Sequence, residues 1–176
     1  TPDGQSVFSA ESDMALHLRD FSTLERIRSF KGHDNIITSV GVTPDGKYVV
    51  SSSWDATVRV WELDTGACLK VLEGHTSLVT TISVSFDGHY ALSGSRDGTL
   101  RLWNLSTGDC QWISEKQQGH LDFAALTPDG QHALSATTFT DPFTTKKTTK
   151  LQLWDIHSGT CQIGRASCRE RVCHRV

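Results

Sequence analysis

The residue types of a serine hydrolase occur in this chain: a histidine, a serine and an aspartate that could form a nucleophile and its base. A catalytic triad occurs once, in a cleft, whereas this set recurs at a step of 42 residues and always precedes a tryptophan. We therefore interpret it as a structural hydrogen-bond chain. The imidazole forms hydrogen bonds with both the carboxylate and the serine hydroxyl, and the indole N–H is the last donor of the chain. The two complete sets are His33, Ser51, Asp55 and Trp61, and His75, Ser93, Asp97 and Trp103.

Metal and cofactor chemistry finds less support in the sequence. Cys161, Cys168, Cys173 and His174 are metal-capable types, but six and four residues between the cysteines fit no paired zinc-ligand pattern. The Asp-Gly pairs are interpreted as turns between strands and not as a phosphate-binding loop. The sequence therefore predicts no metal and no cofactor. Lys146, Lys147 and Lys150 are expected in a solvated loop.

The elements that position these residues come from an internal repeat. Residues 32–62 and 74–104 are near copies, 42 residues apart. A fixed period of this kind indicates a repeat architecture. The period extends over four units, because the turn aspartates Asp3, Asp45, Asp87 and Asp129 keep the same step.

Each unit has the pattern of four short strands separated by turns, which is typical of an all-β fold. In the second unit we expect strands over 37–42, 48–53, 57–63 and 68–72, and in the first over 6–10, 15–20 and 23–30. Val58 and Val60 alternate with Thr57 and Arg59, as in a half-buried strand. The predicted units are 1–31 (partial), 32–73, 74–118 and 119–162, the last with a loop insertion over 138–149.

The composition limits the possible partners. The 176 residues carry a formal net charge of -3, which gives no basic footprint for nucleic acid, and no apolar run is long enough to span a membrane. The chain begins within a turn, so we expect missing first residues and not a signal peptide. Three of the five cysteines, Cys68, Cys110 and Cys161, hold equivalent positions and are expected to be reduced packing residues, which suits the cytoplasm.

The last residues depart from the repeat. Residues 163–176 contain four arginines and two cysteines without alternation, where a fourth strand is due. Residues 163–172 resemble the translation of a sequencing adapter, so this segment is interpreted as a non-native tail and is left out of the fold.

A Gly-His pair followed after about 30 residues by Trp-Asp or a near variant resembles the WD-repeat β-propeller family, over residues 1–162. The closing pairs here are Trp61-Glu62, Trp103-Asn104 and Trp154-Asp155. The resemblance implies four-stranded antiparallel blades around a channel, here an incomplete propeller of about three and a half blades. It also implies the hydrogen-bond chain. In the fourth unit that chain would use His120, Ser135 and Trp154, with Asp141 as a weak substitute for the missing aspartate, and the first unit keeps Ser9 and Asp13 with Arg19 in place of the tryptophan.

The resemblance further implies a partner-binding end, formed by the Gly-His loops and by the residues just before each second-turn aspartate. Trp54 is the most informative, because the equivalent residues are Ser12 and Arg96 and the repeat does not require an aromatic there. Trp and Arg are enriched at binding hot spots, although Trp54 could equally pack on a neighbouring loop. The candidate partner-binding residues are Ile36, Thr38, Trp54, Leu78, Thr80 and Arg96.

These observations predict a non-catalytic scaffold that binds a protein or peptide, as part of a larger regulatory or signalling protein in the cytoplasm. The alternative is a propeller-based hydrolase with its active site in the channel, which would need carboxylates or histidines outside the repeated positions. An open set of blades would expose sheet edges and end faces, so we expect the isolated chain to associate or aggregate.

Overall fold

The computed structural model describes residues 1–117, 119–140, 143 and 147–163, and all regular structure in them is β-strand. The alternating apolar residues form these strands because one face of each can then be buried. The strands are β1 (Ser6–Ala10), β2 (Leu16–Asp20), β3 (Arg26–Phe30), β4 (Ile37–Val42), β5 (Tyr48–Ser53), β6 (Val58–Glu62), β7 (Cys68–Leu72), β8 (Val79–Val84), β9 (Tyr90–Ser95), β10 (Leu100–Asn104), β11 (Cys110–Ile113), β12 (His120–Leu126), β13 (His132–Thr140), β14 (Lys147–Asp155) and β15 (Cys161–Ile163).

The strands form four antiparallel sheets in chain order. Sheet 1 has three strands, β1 to β3, and sheets 2, 3 and 4 have four each, β4 to β7, β8 to β11 and β12 to β15. Each strand pairs with its neighbour in sequence, as hairpin connections require. This arrangement confirms the predicted fold class, an incomplete β-propeller of antiparallel blades.

The turns follow the chemistry of their residues. Between β4 and β5 the Gly46 N–H donates to the carbonyl of Thr43 at 2.8 Å, and Gly46 has φ +70°. The Asp45 carboxylate accepts the Thr43 hydroxyl at 2.6 Å and the Lys47 N–H at 3.1 Å. A side chain that caps its own turn in this way fixes the hairpin and therefore the register of both strands.

The core lies between neighbouring sheets and not within any one of them. The closing tryptophan of each unit packs in the layer that its sheet shares with the preceding sheet, so Trp61, Trp103 and Trp154 belong to three successive apolar clusters. All three side chains are almost completely buried. Each sheet is therefore stabilised mainly by its neighbours, as in other repeat proteins.

Hydrogen bonds between sheets repeat with the same period. At the outer strands, one equivalent position donates to a carbonyl of the next sheet: Arg28 to Leu63, Lys70 to Ser106, and the Trp112 indole to Ile156, at 2.6 Å in each case. The side chain at this position donates a hydrogen bond in all three sheets, although it is an arginine, a lysine or a tryptophan.

The insertion in the fourth unit differs from the prediction. The loop expected over 138–149 is in part strand, because β13 and β14 remain paired as far as Thr140 opposite Lys147. The β-branched threonines on both strands favour this extension. The unit boundary at residue 118, the Asp141 substitute, Lys146 and the tail beyond Ile163 lie outside the described residues, whereas Ile163 itself is the last residue of β15.

Candidate functional site

The structure brings the four predicted residues of the second unit together. His33 Nδ1 lies 2.7 Å from Asp55 Oδ2, and His33 Nε2 lies 2.8 Å from Ser51 Oγ. The Trp61 indole N–H donates to the same Ser51 oxygen at 2.8 Å. With the His33 proton on Nδ1, the carboxylate accepts from the imidazole and the imidazole accepts from the serine. The chain thus ties the Gly-His loop, the turn after β5 and strand β6 to one another.

The third unit repeats this geometry almost atom for atom. His75 Nδ1 lies 2.8 Å from Asp97 Oδ2, and Ser93 Oγ lies 2.8 Å both from His75 Nε2 and from Trp103 Nε1. Ser51 and Ser93 have no exposed surface. Both serines are therefore out of reach of a substrate, and their hydroxyls are used in hydrogen bonds with the histidine and the tryptophan of the same unit.

The charges within the chain follow from its burial and hydrogen bonding. Burial lowers the pKa of His33 by more than the neighbouring Asp55 raises it, which favours the neutral imidazole. Burial raises the pKa of Asp55, but hydrogen bonds from Thr57 and His33 outweigh it and hold that pKa below the ordinary value. The pKa of Asp97 is lowered for the same reason, by its hydrogen bonds with His75 and Thr99. In each of the two hydrogen-bond chains, therefore, a carboxylate and an imidazole are paired in a fixed position.

Two further positions of each repeat contact these hydrogen-bond chains, although their residues were not among the predicted site residues. The Thr57 and Thr99 hydroxyls each donate to the aspartate two residues earlier, at 2.7 Å. Arg59 and Arg101 place their guanidinium groups 5.9 Å from the ring centres of Trp61 and Trp103. Their identical spacing in two units was the signal in the sequence that could have identified them.

The glycine of the Gly-His pair has a backbone conformation that other residues rarely adopt, with φ +155° at Gly32 and +143° at Gly74, and it also lies close to the arginine. A Cβ atom on Gly32 would lie 2.7 Å from Arg59 Nη1 and 3.2 Å from Trp61 Cη2. At Gly74 the corresponding contact with Arg101 would be closer still. Glycine at this position therefore lets the backbone pass the guanidinium that stacks on the tryptophan.

In the fourth unit the prediction was wrong for His120. Trp154 donates to Ser135 Oγ at 2.8 Å, as in the other units. His120, however, is the first residue of β12, pairs with Thr138 and has an exposed side chain. The unit lacks three residues between this histidine and its turn, so no loop remains to fold the ring back onto the serine. Within the described residues, the hydrogen-bond chain of the fourth unit is therefore reduced to the single bond between Trp154 and Ser135.

In the first unit Asp13 has a different partner. The fully buried His17 lies 3.1 Å from Asp13 Oδ2 and 2.9 Å from Ser29 Oγ. Arg19, in place of the tryptophan, donates to Ser9 Oγ at 3.2 Å and pairs with Glu11. Glu11, Asp13 and His17 form the one group of three metal-capable side chains within the described ranges. Internal hydrogen bonds already account for the two ring nitrogens of His17.

The predicted partner-binding residues divide into two kinds. The Trp54 N–H donates to the Ile36 carbonyl at 2.9 Å, and the Arg96 N–H donates to the Leu78 carbonyl at the same distance. Each pair is therefore adjacent at one end of its sheet, which we call the loop end, formed by residues 33–36 and 54–57 of sheet 2 and 75–78 and 96–99 of sheet 3. Trp54 is 39% exposed and Ile36 is 49% exposed. Leu78 is less exposed than either, since its side chain is half-buried.

The hydroxyls of Thr38 and Thr80 form hydrogen bonds between sheets. Thr38 Oγ1 donates to the Val79 carbonyl at 2.7 Å, and Thr80 Oγ1 donates to the Leu121 carbonyl at 2.5 Å. These bonds join the first strands of neighbouring sheets. Thr38 and Thr80 are half-buried, and their hydroxyls help to position the loop end.

The cysteines of the repeat are free thiols. Cys110 and Cys161 pack partly against the apolar clusters, but Cys68 is exposed, so the expectation of a packing residue fails there. Lys147 and Lys150 are exposed, but both lie in β14 and not in a loop. Cys168, Cys173 and His174 lie outside the part of the chain that the structure describes. None of the described residues forms a helix long and apolar enough to cross a membrane.

A comparison with protein families finds two matches to the model "WD domain, G-beta repeat", at residues 24–62 and 66–104. No curated protein matches the chain. Proteins with these repeats are in general non-catalytic scaffolds, and the domains commonly mediate interactions between proteins. The two matched segments contain both complete hydrogen-bond chains as well as Trp54 and Arg96. The chain therefore carries WD repeats, which confirms the resemblance to the WD-repeat family.

Proposed function

We propose that this chain is a non-catalytic scaffold that binds a partner protein or peptide at the loop end, within a larger regulatory or signalling protein of the cytoplasm. The observation that carries the proposal is the pair Ile36 and Trp54, two exposed apolar side chains held side by side by a backbone hydrogen bond. Beneath them the hydrogen-bond chain of His33, Ser51 and Asp55 fixes both loops. A rigid aromatic anchor loses little conformational entropy when it binds.

The chemistry of this end favours a mixed partner surface. Ile36 and Trp54 offer an apolar contact on sheet 2, and Arg96 offers an exposed guanidinium at the equivalent position on sheet 3. Trp and Arg are the two types most often found at the centre of binding interfaces. We therefore expect a partner segment that presents an apolar side chain and, one repeat away, a carboxylate.

The test uses a substitution that the repeat itself supplies. Trp54→Ser introduces the residue that the first unit carries at the equivalent position, Ser12, so the turn is expected to keep its shape. Peptides selected from a random library against the intact chain should lose about thirtyfold in affinity for Trp54→Ser, since a hot-spot residue contributes about 2 kcal/mol or more.

Phe86→Ser is the matched control, because Phe86 is 75% exposed and lies in the turn at the opposite end of sheet 3. It should leave the affinity of the selected peptides unchanged. Peptides that bind Trp54→Ser as tightly as the intact chain, or that depend on Phe86, would place the binding surface elsewhere and refute the proposal.

A further inference from the structure

A cavity borders the closing tryptophan of the fourth unit. It has a volume of about 390 Å³ and lies on the side of sheet 4 that faces sheet 3, where Trp154 is buried. Its walls are formed by β13, by β14, by Cys161 of β15 and by residues 115–117, which connect sheets 3 and 4. A cavity of this size can hold a small molecule.

The walls of this cavity correspond to the residues that hold the Gly-His loop of the third unit. Counted from the serine and the tryptophan of each unit, the equivalent pairs are Asp97 and Phe139, Thr99 and Lys150, Arg101 and Gln152, and Trp103 and Trp154. The four residues of the third unit all lie against Gly74 or His75. The cavity therefore corresponds to the space that an imidazole ring fills in the third unit, where the ring centroids of His75 and Trp103 are 6.3 Å apart.

Two side chains of the cavity wall carry buried polar atoms without a partner. Gln152 and Thr137 are each 2% exposed, and within the described residues neither Gln152 Oε1 nor the Thr137 hydroxyl has a hydrogen bond. Gln152 Nε2 donates to Cys161 Sγ at 3.5 Å, so the amide oxygen is the acceptor that remains. Leaving such groups unpaired is unfavourable, so a ligand that offers a hydrogen-bond donor and an acceptor is favoured here.

The charge of the wall also differs from that of the third unit. Phe139, an apolar ring, stands where the third unit has the carboxylate that accepts from the imidazole. Among the charged residues that line the cavity, Lys116 and Lys150 are positive and Glu115 is negative, and all three are exposed. The net positive charge favours a ring that carries a carboxylate over a ring that carries a positive charge.

We propose that this cavity binds an imidazole ring with a carboxylate beside it, either as a free small molecule or as a histidine next to an acidic residue in a partner peptide. The ring lies against Trp154, its N–H donates to Gln152 Oε1, and its other nitrogen accepts from the Thr137 hydroxyl. The carboxylate lies near Lys150. The site is separate from the loop-end pair Ile36 and Trp54, so it does not depend on the proposed function.

Ligand-observed nuclear magnetic resonance with the full chain tests the proposal. The probes are imidazole-4-carboxylate and the peptide acetyl-Gly-His-Asp-amide, which has the sequence of residues 32–34. Benzoate carries its carboxylate on a ring without an N–H, so it should bind about tenfold more weakly than imidazole-4-carboxylate. Tighter binding of the peptide than of the free acid would identify a partner side chain as the source of the ring, and the reverse would identify a free small molecule.

Gln152→Leu and Thr137→Val remove the two polar atoms with little change in shape. Each should weaken binding of the tighter probe by about tenfold. Both variants should stay folded, because the atoms removed have no partner among the described residues, and thermal denaturation measures this. Gln5→Leu makes the same change at an exposed glutamine just before β1 and is the matched control, which should bind as the unaltered chain does.

Three results would overturn the proposal. The first is that neither probe binds, and the second is that benzoate binds as tightly as imidazole-4-carboxylate. The third is that Gln152→Leu and Thr137→Val, both folded, bind the probe with unaltered affinity, or that Gln5→Leu weakens binding as much as they do.

Discussion

At the scale of single residues, the backbone of Ala56 offers a test of the turn that holds each aspartate. Ala56 has φ +68°, and Gly98 holds the equivalent position with φ +86°. The left-handed region is unfavourable for a residue with a Cβ atom. Ala56→Gly should therefore raise the free energy of unfolding by about 1 kcal/mol, measured by urea denaturation at fixed protein concentration.

Gly98→Ala is the reciprocal change and should lower that free energy by more. Its Cβ would lie 2.8 Å from the Gln117 carbonyl oxygen in addition to the backbone strain. If Ala56→Gly is destabilising, then contacts of the Ala56 methyl group outweigh the backbone conformation.

Acid should weaken the fold through the same turns. The pKa of His33 is lowered in the folded chain, so stability is complete above the unfolded value of about 6.5 and falls as the pH decreases from there toward the folded value. The pKa values of Asp55 and Asp97 are also lowered, so their contribution is present above the ordinary aspartate pKa and is lost as the pH falls through the folded values.

His33→Gln separates the two parts of this pH dependence. The free energy of unfolding should vary less between pH 7 and 5 in this variant, while the loss at lower pH that Asp97 contributes should remain. His120→Gln, at an exposed histidine of sheet 4 that belongs to neither complete hydrogen-bond chain, is the matched control. An unaltered profile in His33→Gln would show that protonation of this imidazole does not oppose folding.

At the scale of the elements, sheets 3 and 4 form a natural comparison. Ser93 bonds to both His75 and Trp103, whereas Ser135 bonds to Trp154 and has lost the histidine. Each buried group left without a partner lowers stability by about 1–3 kcal/mol. Ser93→Ala should therefore be more destabilising than Ser135→Ala by about the contribution of one such group, as measured by denaturation of the two variants. Equal losses would mean that the imidazole bond adds nothing to sheet 3.

The elements also show what the sequence could predict. The period placed the strands of sheets 2 and 3 and their turns, because Val58, Asp55 and Trp61 each have a local pattern that fixes their role. His120 and the extended β13–β14 hairpin escaped prediction, because they depend on a deleted loop and on cross-strand pairing that no local pattern reports. The hydrogen bond of Thr38 between sheets could not be predicted either, because its acceptor, the Val79 carbonyl, is 41 residues away.

At the scale of the whole molecule, the stability of each sheet should depend mainly on its contacts with the neighbouring sheets. Phe30 has no exposed surface and packs between sheets 1 and 2, and Leu121 is equally buried between sheets 3 and 4. Truncating either side chain to alanine removes about 2–5 kcal/mol from one interface. In a repeat protein this loss remains largely local, because each unit contacts only its neighbours.

Hydrogen exchange followed by mass spectrometry distinguishes local from global loss. Phe30→Ala should accelerate exchange in β1 to β3 and leave β12 to β14 near their original rates, and Leu121→Ala should do the reverse. Uniform acceleration across all four sheets in both variants would instead show that they unfold as one cooperative unit.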